Sequence, residues 1–587
     1  PGAVDRPVKT TRYLGSYSLD IKLPVDGLKF RSNLGLDART VQDYEFWSAK
    51  TSNRGMGTSY AKNAVDKYTM FTLENMLFYD KTFNDKHTLG VTLLQSIQED
   101  KRESVNVAME NLPADNLKYY DLGSGLVTNT IGSSMIKWNM ASFMGRINYN
   151  YLGRYLLTVS ARYDGSSRLA DGHKWVLFPS AALAWRINEE SFMSSTSGWL
   201  DNLKLRLGFG KTGNSAVDPY QTKGTLSLIR YPFDNGGTPT IGYAPNAMAN
   251  SLLTWETTDQ WNLGIDFGVL RGRINGTIDL YMQNTHDLLL KRQLPVVSGF
   301  PDVLSNVGKT RNKGIEVSIN SMNINSKDFQ WTTDLMLSSN KEEIVELYNG
   351  KNDDIGSKWF IGQPVNVHYD YRKVGIWQNT ESDLAEMAKF AANGTEFAPG
   401  DIKIQDVNGD YKITDADKQI LGNPRPKLIA SMVNTFNYKG FDLSVFLYAS
   451  FGAMLYNDIY AVEHCGRNGG VKVDYWTPNN PTNAYPRPSI DEERPIYITS
   501  TYYEKADFLR VKTMTLGYTL PKTLTNKFLV EKLRVYFTAQ NPFIFTNYTG
   551  IDPEAAKVNS AGNPETNGSG FGTPSVSSWI FGINLTL

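Results

Sequence analysis

Apolar and polar residues alternate one by one along much of this chain. Phe441, Leu443, Val445, Leu447, Ala449 and Phe451 share one parity; Asp442, Ser444, Phe446, Tyr448 and Ser450 share the other. Successive strand side chains project to opposite faces, so this segment has one apolar and one mostly polar face. The pattern recurs in hairpins. Residues 12–21 and 28–37 are joined by KLPVDG, 68–80 and 87–97 by KTFND, and 141–151 and 154–164 around Gly153. Strands follow at 176–187 and 203–211, then at Trp261–Phe267, which turns through GVLRGR to Ile274, Ile278, Leu280 and Met282. Ile315, Val317 and Ile319 lead to Trp331, Thr333, Leu335 and Leu337. Residues 428–438 pair with 441–451 through NYKGFD, and 506–518 connect to 533–541. The last strand carries Trp579, Phe581, Ile583, Leu585 and Leu587. The pattern predicts about 17 strands.

Tight turns alternate with long connections, 213–258, 341–427, 452–505 and 542–577, the second holding a short predicted helix at 382–391. The large, apolar set spans about eight to ten residues per strand, enough for a tilted strand to cross a bilayer. No fixed repeat period points to propeller blades. The fold class expected is therefore all-β, a transmembrane antiparallel β-barrel occupying residues 1–587, with residues 341–427 as a long external loop insertion. Such a barrel places short turns in the periplasm and long loops outside, and most often forms a conduit. If the last strand ends in the periplasm, residues 12–21 run downward and the barrel lacks an odd number of strands. For a barrel of about 22 strands, roughly five would lie upstream. The opening PGAVDRPVKTTRYLGSYSLDI has no secretion-signal pattern, so the expectation is a mature fragment or a missing N-terminal part.

Composition changes this picture little. Apolar residues make up 41% of the 587 and mean hydropathy is −0.37, as expected where only alternate residues meet lipid. The 60 basic and 60 acidic residues cancel, so no nucleic-acid footprint is expected. Cys465 stands alone, which excludes an intramolecular disulfide and a multi-cysteine metal site.

Catalytic patterns are lacking. His87, His173, His286, His368 and His464 show no HExxH spacing. GFGKTGN, with Gly208, Gly210, Lys211 and Thr212, lacks the first glycine of a phosphate loop and reads as a strand end. No GxSxG elbow occurs. Asp353 and Asp354 read as solvated loop charges, and His464 with Cys465 has no orienting partner. The chain is read as no enzyme, with no required cofactor. One candidate metal site remains. In DVNGDYKITDAD, Asp406, Asn408 and Asp410 take positions one, three and five of an EF-hand-type loop, the Lys412 carbonyl position seven and Asp417 position twelve. Oxygens so spaced can wrap one Ca²⁺. Position six is Tyr411 instead of glycine, and position twelve is Asp instead of Glu, so an Asx-rich turn is the competing reading. Loop aromatics Trp359, Phe360, Tyr369, Tyr371, Trp377, Tyr475, Trp476, Tyr502 and Tyr503 suit sugar stacking or mutual packing, and none is assigned a role.

Several blocks resemble the SusC-like (SusC/RagA) TonB-dependent outer-membrane transporters. They are RYDGSSRLADGHKWVLFPSAALAWRINEESFM (162–193), LRLGFGKTGNSAV (205–217), RNKGIEVSI (311–319) and VGIWQ (374–378). GDIKIQDVNGDYKITDADKQILGNPRPKL (400–428), YWTPNNPTNAYPR (475–487), FLRVKTMTLGYTLP (508–521) and LRVYFTAQNPFIFTNYTGIDPE (533–554) follow in the family's order. The resemblance implies the barrel portion of an outer-membrane nutrient importer, with energy-coupled uptake of oligosaccharides or peptides. It implies a SusD-like surface lipoprotein as lid, and TonB–ExbB–ExbD acting through an N-terminal plug region that these blocks do not include. Leu587 departs from the aromatic that usually ends such barrels. The rivals are a passive porin, a siderophore or cobalamin receptor of the same architecture, and a glycan-binding β protein that needs no lipid.

Overall fold

The structure is a computed structural model; it describes residues 3–55, 57–231, 233, 240–457, 473–488, 495–525, 530–554 and 575–586. His464, Cys465 and Leu587 lie outside the described residues.

Alternation becomes strand throughout. Seventeen described strands reach nine residues or more: β1 (Val8–Lys22), β2 (Leu28–Trp47), β3 (Tyr60–Phe83), β4 (His87–Glu110), β5 (Val127–Tyr151), β6 (Tyr155–Ser166), β7 (Trp175–Arg186), β8 (Leu200–Asn214), β9 (Glu256–Val269), β10 (Ile274–His286), β11 (Lys309–Asn325), β12 (Phe329–Glu346), β13 (Leu428–Tyr438), β14 (Phe441–Phe451), β15 (Phe508–Thr519), β16 (Lys532–Thr546) and β17 (Ser578–Thr586). The expected number is met. The lengths are not: β3 and β4 have 24 residues each and β5 has 25. No described helix is long and apolar enough to cross a membrane.

The chain divides into two compact units, one of Pro1–Arg186, Arg206–Trp261 and Gln283–Lys309, the other of Ile187–Leu205, Asn262–Met282 and Thr310–Leu587. In the first, β1 to β7 form an antiparallel meander in sequence order. Its turns are sharp because the chain supplies residues that tolerate left-handed backbone. Asn84 and Asp85 turn β3 into β4 at φ 52° and 54°. Gly27 turns β1 into β2 at φ 80°, where a Cβ would sit 2.1 Å from the Asp80 carbonyl oxygen, so only glycine fits.

One face of this meander carries Tyr13, Tyr17, Leu19, Leu93, Phe143, Ile147, Val159 and Tyr163, all exposed, Tyr13 to 73%. The opposite face carries ion pairs and hydroxyls. Arg12 pairs with Asp37 at 2.6 Å, Arg31 with Asp20 at 2.7 Å, and Arg162 reaches Asp164 and Ser142. This inverts a soluble protein, whose strand-borne apolar face would be packed away from solvent. One break occurs on the apolar face. The Ser32 hydroxyl donates to Asn75 and the Asn75 amide to Gln95, each at 2.8 Å, forming a short polar ladder across β2, β3 and β4.

In the second unit β12 pairs with β13, and β13 to β17 continue antiparallel. Lys439 and Gly440, at φ 46° and 91°, make a two-residue turn between β13 and β14. Trp579, Phe581, Ile583 and Leu585 of β17 are exposed, Phe581 to 82%. The buried apolar clusters of this unit lie in its connections, not between the faces of its strands.

Candidate functional site

The connection from β12 to β13 and the one from β14 to β15 contribute to a folded loop module within the second unit. Lys373–Ile376 pairs with Ile402–Ile404, and His368–Asp370 with Gln419–Gly422. Ile376, Ile402 and Ile404 meet Trp476, Ile498 and Tyr502 in one buried cluster. The predicted helix is α1 (Glu381–Ala392). Thr380 caps it by accepting from the Asp383 backbone N–H, and Glu381 and Asp383 sit in the first turn, where acids favour the helix dipole. Its inner face sets Met387 and Phe390 against Trp377. Lys403 locks the helix on, with Nζ 3.1 Å from Asp383 and 2.5 Å from Glu386, and 4.0 Å above the Trp377 ring.

This packing decides most of the aromatic candidates. Trp377, Trp476, Tyr502 and Phe360 are buried and hold loops together. Tyr475 stays exposed, while Trp359, Tyr369, Tyr371 and Tyr503 are half-buried. Tyr503 donates to Asp370 at 3.0 Å, and burial raises its hydroxyl pKa. His368 is buried, its Nε2 2.8 Å from the Met454 carbonyl oxygen. A carbonyl only accepts, so Nε2 carries the proton. Burial lowers this histidine's pKa and keeps it neutral.

Four of the five candidate metal residues, Asp406, Asn408, Asp410 and Asp417, accept hydrogen bonds within one turn. Asp406 accepts the backbone N–H groups of Gly409 at 2.7 Å and Tyr411 at 2.8 Å. Asn408 accepts from Asp410 N–H, and Asp410 from Lys412 N–H and the Asn408 amide. Asp417 is 0% exposed and accepts Val407 N–H at 2.9 Å and Thr414 N–H at 2.8 Å. With Thr414 it closes a capping box on the turn Asp415–Asp417. These carboxylates hold the backbone as Asx turns do. Among the described residues no three His, Cys, Asp or Glu side chains are grouped to hold a metal; the calcium reading of Asp406, Asn408, Asp410, Lys412 and Asp417, which also draws on an amide and a backbone carbonyl, is put to the test by calcium titration.

The other sequence candidates are equally structural. Gly208, Gly210, Lys211 and Thr212 lie within β8. Asp353 accepts Ile361 N–H and Asp354 accepts Ser357 N–H, so both brace a turn. An ion cluster that sequence reasoning missed sits at the start of the β16–β17 connection. Arg510, 4% exposed, lies 2.5 Å from Asp552 and 3.0 Å from Glu554, and Glu554 also pairs with Lys512. Asp552 accepts the backbone N–H groups of Glu554 and Ser575 as well. The cluster pins the connection to β15. Its signal was the TGIDPE block, whose acids have no sequence neighbour to explain them.

Residues 3–541 match the family "TonB dependent receptor-like, beta-barrel". TonB-dependent receptor P3 of Formosa agariphila is 32% identical over 581 residues, covering 96% of this chain and 56% of the relative. TonB-dependent receptor SusC of Bacteroides thetaiotaomicron is 35% identical over 434 residues, covering 71% of this chain and 41% of SusC. The structure of the RagAB peptide transporter superposes with a TM-score of 0.83 at 22% identity, over 99% of this chain and 62% of that one. The chain thus spans about half the length of the relatives it matches. Proteins of this family are transporters and not enzymes, and the exposed apolar strand faces are those of a barrel set in lipid. The chain belongs to the TonB-dependent receptor family, as a SusC-like β-barrel of the outer membrane.

Proposed function

We infer that the chain forms the barrel of an energy-coupled importer of oligosaccharides or peptides too large for porins. A SusD-like surface lipoprotein would close over its loops, and TonB–ExbB–ExbD would supply energy through the protein's N-terminal plug region. The observation that carries this reading is the match to TonB-dependent receptors, over 96% of the chain for P3 and 71% for SusC. The RagAB peptide transporter, similar in fold, supports peptides as the second substrate class. The folded loop module supports capture at the surface over free diffusion, because an open pore needs no braced external core.

The test is uptake by cells carrying the full-length receptor, with a labelled oligosaccharide and a labelled oligopeptide offered separately. Import of one, abolished by a proton uncoupler, is expected. Uptake indifferent to the uncoupler would favour a passive porin, as would swelling of liposomes in small sugars. Co-purification in mild detergent should retain the lid lipoprotein; a receptor that elutes alone argues against that partner.

A further inference from the structure

The strand β5 outruns its neighbour. It has 25 residues and β6 has 12, so pairing with β6 stops at Met140–Ser166 while pairing with β4 continues to Val127. At about 3.3 Å per residue and a tilt of about 45°, Met135 stands roughly 37 Å above Tyr151, beyond an apolar band of about 25 Å. The outer half of β5 is therefore a sheet edge clear of lipid, within the first unit.

Hydrogen bonds identify the residues that face this edge. Asn139 accepts the Ser167 N–H at 3.0 Å and donates its own N–H to the Ser167 hydroxyl at 2.8 Å. Lys137 N–H donates to the Tyr220 hydroxyl at 3.2 Å, and Tyr220 holds a left-handed backbone there at φ 72°. Bonding alternates between the two sides of an antiparallel strand, so Ile131, Ser133 and Met135 aim their N–H and C=O groups the same way. No partner meets them among the described residues. Exposed edges are normally blunted by lysine, proline or an inward charge. Val127–Ile136 carries no proline and no charged residue, and its register shift lies at Thr128–Thr130, towards the outer end. Ile131 is 72% and Met135 55% exposed.

The inner end of this edge opens on a cavity of about 480 Å³, with Met135, Lys137, Asp171, Lys174, Tyr220 and Lys223 among its walls. Lys137 pairs with Glu99 at 2.9 Å and Lys174 with Asp171 at 2.5 Å. Among the described residues, Lys223 is the wall cation left without an ion pair. Along the edge, donor and acceptor recur about every 6.8 Å, twice the antiparallel rise. Another extended backbone matches that spacing; a sugar or a lipid headgroup does not. A strand added antiparallel to β5 begins beside Lys137, where Lys223 favours a carboxylate, and runs outward past Ser133. We propose that residues 131–137 of β5 dock an extended segment of a protein partner by strand addition, a segment whose first residue is acidic and whose alternate residues are apolar towards Ile131 and Met135. The docking is independent of what the barrel imports.

The test uses the detergent-solubilised full-length receptor and three fluorescent octapeptides, acetylated and amidated at their ends: EVTVTVTS, KVTVTVTS and the interrupted EVTVPVTS. Anisotropy reads binding, and hydrogen exchange with residue-level fragmentation reads the edge. EVTVTVTS should slow exchange at the Ile131, Ser133 and Met135 amides by about tenfold or more at millimolar concentration. KVTVTVTS should bind several-fold more weakly, and EVTVPVTS about tenfold more weakly. Ser133→Pro deletes one edge donor and spares the ladder with β4, so it should lose about tenfold in affinity. Ser133→Ala should bind as the parent does, with heat-modifiable gel migration unchanged in both variants. Lys223→Glu should reverse the preference between the glutamate-first and lysine-first peptides. Unslowed edge amides, equal binding of the interrupted peptide, or full affinity in Ser133→Pro overturns the proposal. Import of the bound peptide by cells would make it cargo and overturn the docking role.

Discussion

Replacing Asp417 by alanine should unfasten the loop module locally. Its carboxylate is fully buried and receives two backbone N–H groups, from Val407 at 2.9 Å and Thr414 at 2.8 Å. A hydrogen bond to a charged group is worth about 1.5–3 kcal/mol, and an orphaned buried donor adds its desolvation. Two such bonds put the loss at about 3–6 kcal/mol. Hydrogen exchange of peptides spanning 401–417, followed by mass spectrometry, reads this directly, because local opening follows local stability. At about 1.4 kcal/mol per factor of ten, exchange should accelerate by at least about 100-fold. Asp410→Ala is the control. It loses only solvent-facing partners, Lys412 N–H and the Asn408 amide, and should stay within about 30-fold, since each such bond contributes about 1 kcal/mol. Neither millimolar calcium nor EDTA should change either rate. Protection that rises with calcium and vanishes in Asp410→Ala would refute the reasoning and restore the cation.

Burial holds the Lys373 ammonium down to about 8 from its ordinary 10.5, so the folded loop binds fewer protons than the unfolded one and gains stability as pH rises from 8 towards 10.5. Lys373→Met should therefore stabilise the module by about 1–2 kcal/mol below pH 8, after discounting for partial solvent access, and lose that advantage above pH 10.5, as read by proteolysis rates across pH. Arg510→Met strands Asp552 and should cost about 3–5 kcal/mol in the anchoring of the β16–β17 connection; the double variant with Asp552→Leu should recover part of it in the same proteolysis assay. On the apolar face, Asn75→Leu breaks the ladder with Ser32 and Gln95 and should cost about 1 kcal/mol in urea unfolding from vesicles, whereas Ser32→Ala, Asn75→Leu and Gln95→Leu together should be close to neutral.

The strands were legible wherever lipid and lumen impose opposite demands on neighbouring residues. The boundaries of β13 and β14 were read without error, and α1 was placed to within one residue at each end. Legibility failed where the environment is the same on both sides. The first half of β5, with Thr128, Thr130, Gly132 and Ser134 opposite Ile131, Ser133 and Met135, alternates too weakly to read as strand. The hairpin of Thr225–Tyr231 and Thr240–Ala247 was hidden inside a segment taken as loop for the same reason. The core of the loop module could not be read at all, since Ile376, Ile402, Trp476 and Ile498 come from four distant stretches and no local period links them. That is why the sequence leaves stacking and packing as equal readings of the loop aromatics, and only the fold shows Trp377, Trp476, Tyr502 and Phe360 to be packing.

The length of β3 and β4 has a consequence for where recognition happens. Twenty-four residues each at about 3.3 Å apiece give a ribbon close to 80 Å long. Inclined at about 45°, it climbs roughly 55 Å, of which an apolar band of about 25 Å needs less than half. The remainder stands clear of the headgroups as a parapet. The hairpin's outer residues are thus carried on paired backbone, so their position is fixed by the sheet and not by a loose connection.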